Sequence, residues 1–551
     1  MGNLNNGYIG HNNLNEEDDI LGVVNSRRAY LDSVYKSYKY DPDWERPSDW
    51  LALPEPAPGT QQVIGLFGVK DAGDEANRVA VRCQGAYVVD WGDGSPPMLY
   101  ASNTQASYQY NYASINPATT TSTGVRQVLI TISPQGAGNL TTIDFDELYP
   151  SNRFQSIHWL DIVARIPNCN ILAVTSSSRN MPWLERFRCL ELGNVTTAVN
   201  MFYRCFRLRV VEFPYTANWV NISGMFSYCT NMRYAPVLNT SNATIVSNMF
   251  TFCRSLKYVP QYNFAKALNI SGLFSYCGSL KYYGDLYAPL VNQAATSVFN
   301  SCFNLEEVGD INVGNATSLQ TFFYNCYSLR KIKSFTNSSS VTSTFQMFYN
   351  CYRLPEVPAI NTQGCLNTSY MYAYCGSAST FPLTNTSSST NTSYMFNNCN
   401  SLVDAPFINT SASTNFAGMF YNCSSLKQVP LYDSANVTNF ASMFYECRGL
   451  FEIPAFDMRA VTSNTGIDSN TITGRMVYNC YGLSKSGLYG QTRTQSYADC
   501  NLGRDDIVTI FNNLGTAAGT QTITVRYCPG TPSLSASDIL IATGKGWTVV
   551  T

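Results

Sequence analysis

Eighteen cysteines are the most reactive groups in this 551-residue chain, and only two histidines, His11 and His158, accompany them. Thiolates act as nucleophiles, metal ligands and disulfide partners, and each of these chemistries needs its own spacing. Zinc-ribbon and redox sites use Cys-x-x-Cys pairs, and none occurs. A general base near neutral pH is usually His. His11 sits in a Gly/Asn-rich start, and the apolar stretch Ile157-His158-Trp159-Leu160 suits a satisfied structural histidine. Asp90 and Asp93, in Val89-Asp90-Trp91-Gly92-Asp93-Gly94-Ser95, could approach calcium. Calcium wants about 6–8 oxygen ligands, so a tight turn at Gly92 and Gly94 is the better reading. Glu306-Glu307 has no acid–base partner, and no His-Glu-x-x-His, Ser/His/Asp or Gly-rich phosphate-loop pattern appears. No catalytic residue, metal ligand or cofactor is expected, and the chain reads as non-enzymatic.

The cysteines instead mark a period. Cys205, Cys229, Cys253, Cys277, Cys302, Cys326, Cys351, Cys375, Cys399, Cys423 and Cys447 follow at steps of 24 or 25, and Cys480 comes after a step of 33. An aromatic stands three residues before nearly every one, usually after Met, and Leu often stands three residues after. Pro often closes the unit, as at Pro236, Pro260, Pro406 and Pro430. The unit reads N-x-x-x-M-F-x-x-C-x-S-L-x-x-x-P. Met-Phe-x-x-Cys-x-x-Leu has the spacing of one short helical face, and Leu-x-x-Val-Pro can be a strand. One coil cannot bury its own Phe, Met and Leu, but stacked coils bury them as ladders. Phe226, Cys229, Phe250, Cys253, Phe348, Cys351, Phe420 and Cys423 are the expected core ladder. Buried free thiols are expected, because every rung has two equivalent neighbours and pairing would break the register.

These units resemble BspA-type leucine-rich repeats over residues 190–485. The resemblance implies a solenoid of about 12 coils used for adhesion or display, without catalytic residues. The unit at Cys375 departs from the pattern, with Ala378 in place of Leu, and a longer loop is expected around Asn464 to Gly474. Many Asn-x-Ser/Thr sites, including Asn194, Asn221, Asn242, Asn367, Asn422 and Asn436, recur at repeat turns, where Asn satisfies backbone groups. Glycosylation is the weaker reading.

Composition sets the outer limits. Charged residues make up 13%, with 35 basic against 37 acidic, while hydrophobic residues make up 45%. Near-zero charge argues against nucleic-acid wrapping and anionic membranes, and no apolar run reaches a membrane span. The start lacks the basic and apolar regions of a secretory signal and misses the myristoylation pattern, so assembly in a reducing cytosol is expected.

Residues 1–59 read as an anchoring arm. Ile20 to Tyr40 could form a helix capped near Asp19. The Pro-rich stretch that follows carries Trp44, Trp50, Leu51 and Leu53, large apolar groups with no core of their own, so docking on a partner is expected. Residues 60–135 read as a small immunoglobulin-like β-sandwich, with strands at Val63–Val69, Arg78–Val81, Ala86–Asp90 and Gln127–Ile132. Its Val-Asp-Trp-Gly-Asp-Gly turn resembles that of polycystic-kidney-disease-type modules. Residues 136–189 form an N-terminal solenoid cap with degenerate half-units at Cys169 and Cys189. Residues 486–551 form a C-terminal cap, with a helix at Asp505–Leu514 and strands at Gln521–Val525 and Gly546–Val550. Arg204, Arg207 and Arg209 form a small basic patch near the first coil.

Three stretches together, Arg46-Pro47-Ser48-Asp49-Trp50-Leu51-Ala52-Leu53-Pro54, the Trp91 turn and Arg126 to Gly138, resemble virion structural proteins of tailed bacteriophages. That resemblance implies a protein of the virion surface, made in the host cytoplasm. The arm would bind other virion proteins, and the solenoid would face outward on tail, fibre or capsid toward a host glycan or protein. A homo-oligomer in the particle is compatible with this; neither nucleic acid nor membrane insertion is expected. A bacterial cell-surface adhesin of the same repeat class is the alternative.

Overall fold

Alternating apolar runs at the N-terminal end build two sheets, which then carry the chain into its repeats. The computed structural model describes residues 41–71, 77–145, 157–176, 180–462 and 475–551. The expected Ile20–Tyr40 helix with its Asp19 cap, His11 and the Asn464–Gly474 loop lie outside the described residues. The fold is mainly β, with two α-helices among the described residues, and its body is a leucine-rich-repeat-like solenoid of about 15 turns.

The first eleven strands are β1 (Gln62–Val69), β2 (Arg78–Gln84), β3 (Tyr87–Asp90), β4 (Met98–Tyr100), β5 (Gln105–Gln109), β6 (Arg126–Pro134), β7 (Thr142–Asp144), β8 (Trp159–Ile166), β9 (Ile171–Ala173), β10 (Arg186–Leu192) and β11 (Val210–Glu212). One sheet runs β11-β10-β8-β1-β6-β3-β4 and the other β5-β2-β7-β9. In the first sheet β8 pairs antiparallel with β1 and parallel with β10; in the second, β7 pairs antiparallel with β2 and parallel with β9. Both sheets therefore turn from antiparallel to parallel pairing without a break, and the solenoid grows directly out of the two-sheet module. Trp159 fills the space between them, edge-on to Phe67 and Phe145 at 5.5 Å. Gly65 leaves it room, since a Cβ there would lie 2.2 Å from the Trp159 ring.

His158 is buried beside Phe67 and Trp183. Burial, with the Lys70 charge adding to it, pushes the imidazole pKa down from 6.5 to about 4. The unfolded chain takes up this proton near pH 6.5 and the folded chain only near 4. The stability tied to neutral His158 is therefore complete above pH 6.5, falls through that window and is gone below about 4. Urea titrations at pH 7 and 4.5 should show a smaller loss for His158→Gln than for the parent; an equal loss would assign the slope to carboxylates.

In the repeats, Met-Phe-x-x-Cys-x-x-Leu is not the helical face that its spacing predicts. It is a run of turns. Met225, Ser227 and Cys229 donate backbone N–H bonds three residues back, while Ile222, Gly224, Phe226 and Tyr228 donate to the next coil at Ile245, Ser247, Met249 and Thr251. The reason lies in two left-handed residues per coil, such as Asn248 (φ 56°) and Phe252 (φ 61°). A right-handed helix cannot pass through them. They turn every second N–H toward the neighbouring coil, where its bond offsets the strain. The apolar spacing survives because the turns also repeat every three to four residues.

The Leu-x-x-Val-Pro segment forms the opposite side, and proline limits it. Proline has no N–H to give the ladder, so Tyr234–Tyr258 and Asp404–Gln428 are single bridges. Strands lengthen where proline is replaced. Coils four to six carry β12 (Tyr282–Tyr283), β13 (Leu286–Tyr287), β14 (Glu307–Asn312) and β15 (Lys331–Thr336), all parallel, with Gly284, Gly309 and Lys333 at that place. β16 (Glu452–Ile453) and β17 (Lys485–Ser486) follow. Ala378 is buried in the leucine ladder, and the Phe381 ring packs beside this coil, 4.9 Å from Tyr372 and 5.1 Å from Phe396.

The wall runs further than the twelve coils counted by cysteine. Asp499 and Tyr527, just before Cys500 and Cys528, take the same left-handed turn (φ 64° at both). Around them β18 (Gln495–Ser496), β19 (Gln521–Thr524) and β20 (Trp547–Val550) continue in parallel. Helices α1 (Arg504–Asn513) and α2 (Ala536–Thr543) alternate with these strands. Helix α2, not foreseen from the sequence, starts on a capping box, with Ser535 and Asp538 exchanging side-chain and backbone bonds.

Candidate interaction surfaces

The inward ladder keeps its thiols from the surface. Phe226, Cys229, Phe250, Cys253, Phe348, Cys351, Phe420 and Cys423 are all sealed from solvent. The aromatic rings stack at 5.4–6.0 Å from Phe202 to Phe444. Each thiol donates to the carbonyl of the aromatic one coil back, as Cys229 does to Phe202 (3.2 Å) and Cys423 to Phe396 (3.0 Å). All eighteen cysteines are free and buried. Burial pushes the Cys205, Cys423 and Cys480 thiols up to about 12, where thiolate is scarce. Ellman's reagent should find almost no reactive thiol in the native protein and eighteen after unfolding without reductant. A shortfall after unfolding would mean that disulfides had formed.

A second inward row is polar, and the sequence reading missed it. Thr240, Thr362 and Thr410 are buried and donate to the carbonyls of Asn263, Asn385 and Asp433 one coil on. Their signal was the recurring Asn-Thr pair. The Asn of each pair closes a turn, its Oδ1 accepting from the N–H two residues along, as at Asn239, Asn361 and Asn409. Asn221 and Asn367 cap the Met-Phe turns in the same way. Asn194, Asn242, Asn422 and Asn436 also make hydrogen bonds to neighbouring coils.

Three outer features remain. The turn ridge carries stacked aromatics on adjacent coils: Tyr228, Phe252 and Tyr276 at 4.3–4.5 Å, Tyr370 and Tyr394 at 4.7 Å, Tyr421 and Tyr445 at 4.5 Å. Their faces cover one another, so the ridge offers ring edges and hydroxyls. Burial, with neighbouring tyrosines adding to it, pushes the Tyr349 and Tyr421 hydroxyls up to about 12, and they stay neutral donors. On the strand side of the later coils, Leu383, Phe407 and Leu431 stand in one column, 81%, 64% and 59% exposed. A different column, four residues after the cysteine rather than eight, is basic in the first coils, from Arg209 to Lys281.

The arm is held by its own chain. Trp44, Trp50, Leu51 and Leu53 are half-buried. Asp161, fully buried, accepts from Arg46 Nε (2.9 Å) and from Arg186 Nε (2.9 Å) and Nη2 (2.5 Å). Arg46 lies over the Trp50 ring and Arg186 over the Trp44 ring, and Trp44 Nε1 donates to Glu185. Gln127 clasps the backbone of Asp49 and Leu51. These groups, expected to dock on a partner, pack half-buried on the chain's own first sheet.

The Trp91 turn keeps its carboxylates occupied. Asp90 Oδ1 accepts from the Gly92 N–H, and Asp93 accepts from Ser95 and from the Tyr108 hydroxyl at 2.5 Å. Burial alone would raise the Asp93 pKa, but these hydroxyls outweigh it and hold it below the usual carboxylate value. No group of three or more His, Cys, Asp or Glu suited to a metal ion occurs among the described residues. No helix among them is long and apolar enough to cross a membrane. Arg204, Arg207 and Arg209 do not make one patch: they point to Tyr203 and Tyr228, to Trp183, and to Asp41.

Residues 193–281 match a family described as a BspA type leucine rich repeat region, in six copies. Residues 292–382 and 367–472 match a Mycoplasma protein of unknown function, DUF285. No curated protein matches the chain. Solved structures with similarity include a leucine-rich repeat protein from Eubacterium ventriosum, at 14% identity and a TM-score of 0.25, covering 62% of this chain and 85% of that one. The TLR13–ssRNA13 complex is 11% identical at a TM-score of 0.20, covering 69% of this chain and 57% of that one. The plant peptide hormone receptor RGFR1 with RGF2 is 11% identical at 0.18, covering 66% and 69%.

Proposed function

We propose that this chain is a non-enzymatic display protein of a bacteriophage virion, fixed to the particle at its N-terminal end and presenting the solenoid outward. The observation that carries the reading is the convergence of the three phage-like stretches. Gln127, from the Arg126 stretch, binds the backbone of Asp49 and Leu51 in the Arg46 stretch. Gly92, in the Trp91 turn, lies so close to the Leu129 carbonyl that a Cβ would come within 2.2 Å of it. Segments far apart in sequence thus meet in the two-sheet module, which also carries the turn that resembles those of polycystic-kidney-disease-type modules. The solenoid suits host attachment or surface decoration, because its outward side chains are held in register while its backbone bonds are spent between coils. With residues 41–58 engaged on the chain's own sheets, attachment to the particle falls to residues 1–40 and to the module's surface. The repeat-family matches favour a second reading, a bacterial cell-surface adhesin.

Antibody to the solenoid should decorate purified phage particles in immunogold micrographs. Removing residues 1–40 should leave a folded protein that fails to incorporate. Labelling of the bacterial surface with bare particles would overturn the virion reading in favour of the adhesin.

A further inference from the structure

Four cations stand on successive coils of the strand side: Arg209, Arg233, Lys257 and Lys281, each 24 residues after the last. Neighbouring rungs are tied through their backbones, as the Lys257 N–H bond to the Arg233 carbonyl (2.9 Å) shows. Like charges on rungs about 4.8 Å apart repel, so the arrangement calls for anions. The first two rungs have them. Arg209 Nη2 lies 2.6 Å from Asp41 Oδ2, and Arg233 Nη1 lies 3.4 Å from Asp43 Oδ2. The next two do not match that provision. Lys257 is exposed with no ion-pair partner among the described residues, and Lys281 has only Glu306 at 3.8 Å. At Glu306 the column changes sign and the basic track ends.

We propose that this four-rung track is a docking site for an acidic, extended peptide segment of a partner protein. Asp41-Pro42-Asp43 is the chain's own sample of the chemistry: a turn closed by the Trp44 N–H on the Asp41 carbonyl (3.2 Å), with its two carboxylates on adjacent rungs. An extended peptide offers a similar pair without the turn: carboxylates two residues apart share one face, about 6–7 Å apart, within reach of long Arg and Lys side chains. A partner's acidic segment laid over Lys257 and Lys281 would give these two rungs the carboxylates that Asp41 and Asp43 give the first two. The stacked Tyr234 and Tyr258 rings, 4.7 Å apart, line the same rungs. Surface ion pairs weaken with salt, so salt should loosen this contact.

The probe is a fluorescein-labelled ten-residue Asp-Pro repeat peptide, titrated with the full chain by anisotropy at low and moderate salt. Binding should weaken at least tenfold in Lys257→Glu/Lys281→Glu and stay unchanged in Lys485→Glu, which lies on a distant coil. It should tighten at least threefold in Asp41→Ala/Asp43→Ala, which frees two more rungs. Circular dichroism melts confirm that each variant is folded. No binding to the full chain, or equal binding by the Lys257/Lys281 variant, overturns the proposal. Binding seen only after residues 1–40 are removed would give the track to the chain's own first forty residues and equally overturn a partner's claim.

Discussion

Phe348→Ala is expected to lower stability by about 3–5 kcal/mol, the cost of truncating a buried aromatic whose site cannot collapse. Phe348 has no exposed surface and lies between Phe323 at 5.6 Å and Tyr372 at 5.9 Å. Each of these rings is fixed by its own coil; Phe348 itself bonds through its N–H to the Met371 carbonyl (2.9 Å). Neighbours held this way cannot close the gap. A solenoid is also nearly one-dimensional, so a weak rung uncouples the coils on either side. Urea unfolding should show a lower midpoint and a broadened or split transition. A loss below about 1 kcal/mol would remove the aromatic ladder from the account of the core.

Asp161→Ala should cost about 3 kcal/mol and release the arm. Removing the acid leaves Arg46 and Arg186 facing each other with side chains only 22% and 15% exposed. Stranding partly buried charges is costlier than the pair was favourable. Trp44 and Trp50, no longer held beneath those guanidinium groups, should show red-shifted fluorescence. Limited proteolysis should then cut between residues 41 and 58. Arg46→Met, which keeps the stem and leaves Asp161 with Arg186, should have a smaller effect. Unchanged proteolysis in Asp161→Ala would place the arm's hold elsewhere.

The repeat was legible because the inward aromatic and Cys keep their type from coil to coil at steps of 24 or 25, so burial fixes the period. Four strands of the two-sheet module, β1, β2, β3 and β6, and helix α1 were legible from their apolar patterns, while the other seven strands of the two sheets were not. The Met-Phe segment misled because a run of turns and a helix share the spacing of three and four. The difference lies in backbone sign at residues such as Phe252 and Tyr276, whose side chains favour no left-handed turn. The arm's destination was illegible, since Arg46 and Asp161 are 115 positions apart in the chain and composition shows stickiness without an address. The basic track was hidden by its period, as one cation per coil never forms a run.

The two coils of 25 residues, ending at Cys302 and Cys351, bear on how such a gene can change. The Asn-column bridges run from Thr197 to Asn269 and resume at Ser343, so the extra residues fall where that column is interrupted. The turn ridge, by contrast, keeps its backbone bonds through both coils. A lone codon gained or lost is therefore absorbed on one side of the wall. Unequal crossing-over that adds or removes a whole coil would preserve the backbone bonding pattern that each coil repeats. The reach of the projecting body can then vary by duplication, and its surface by drift, on separate clocks.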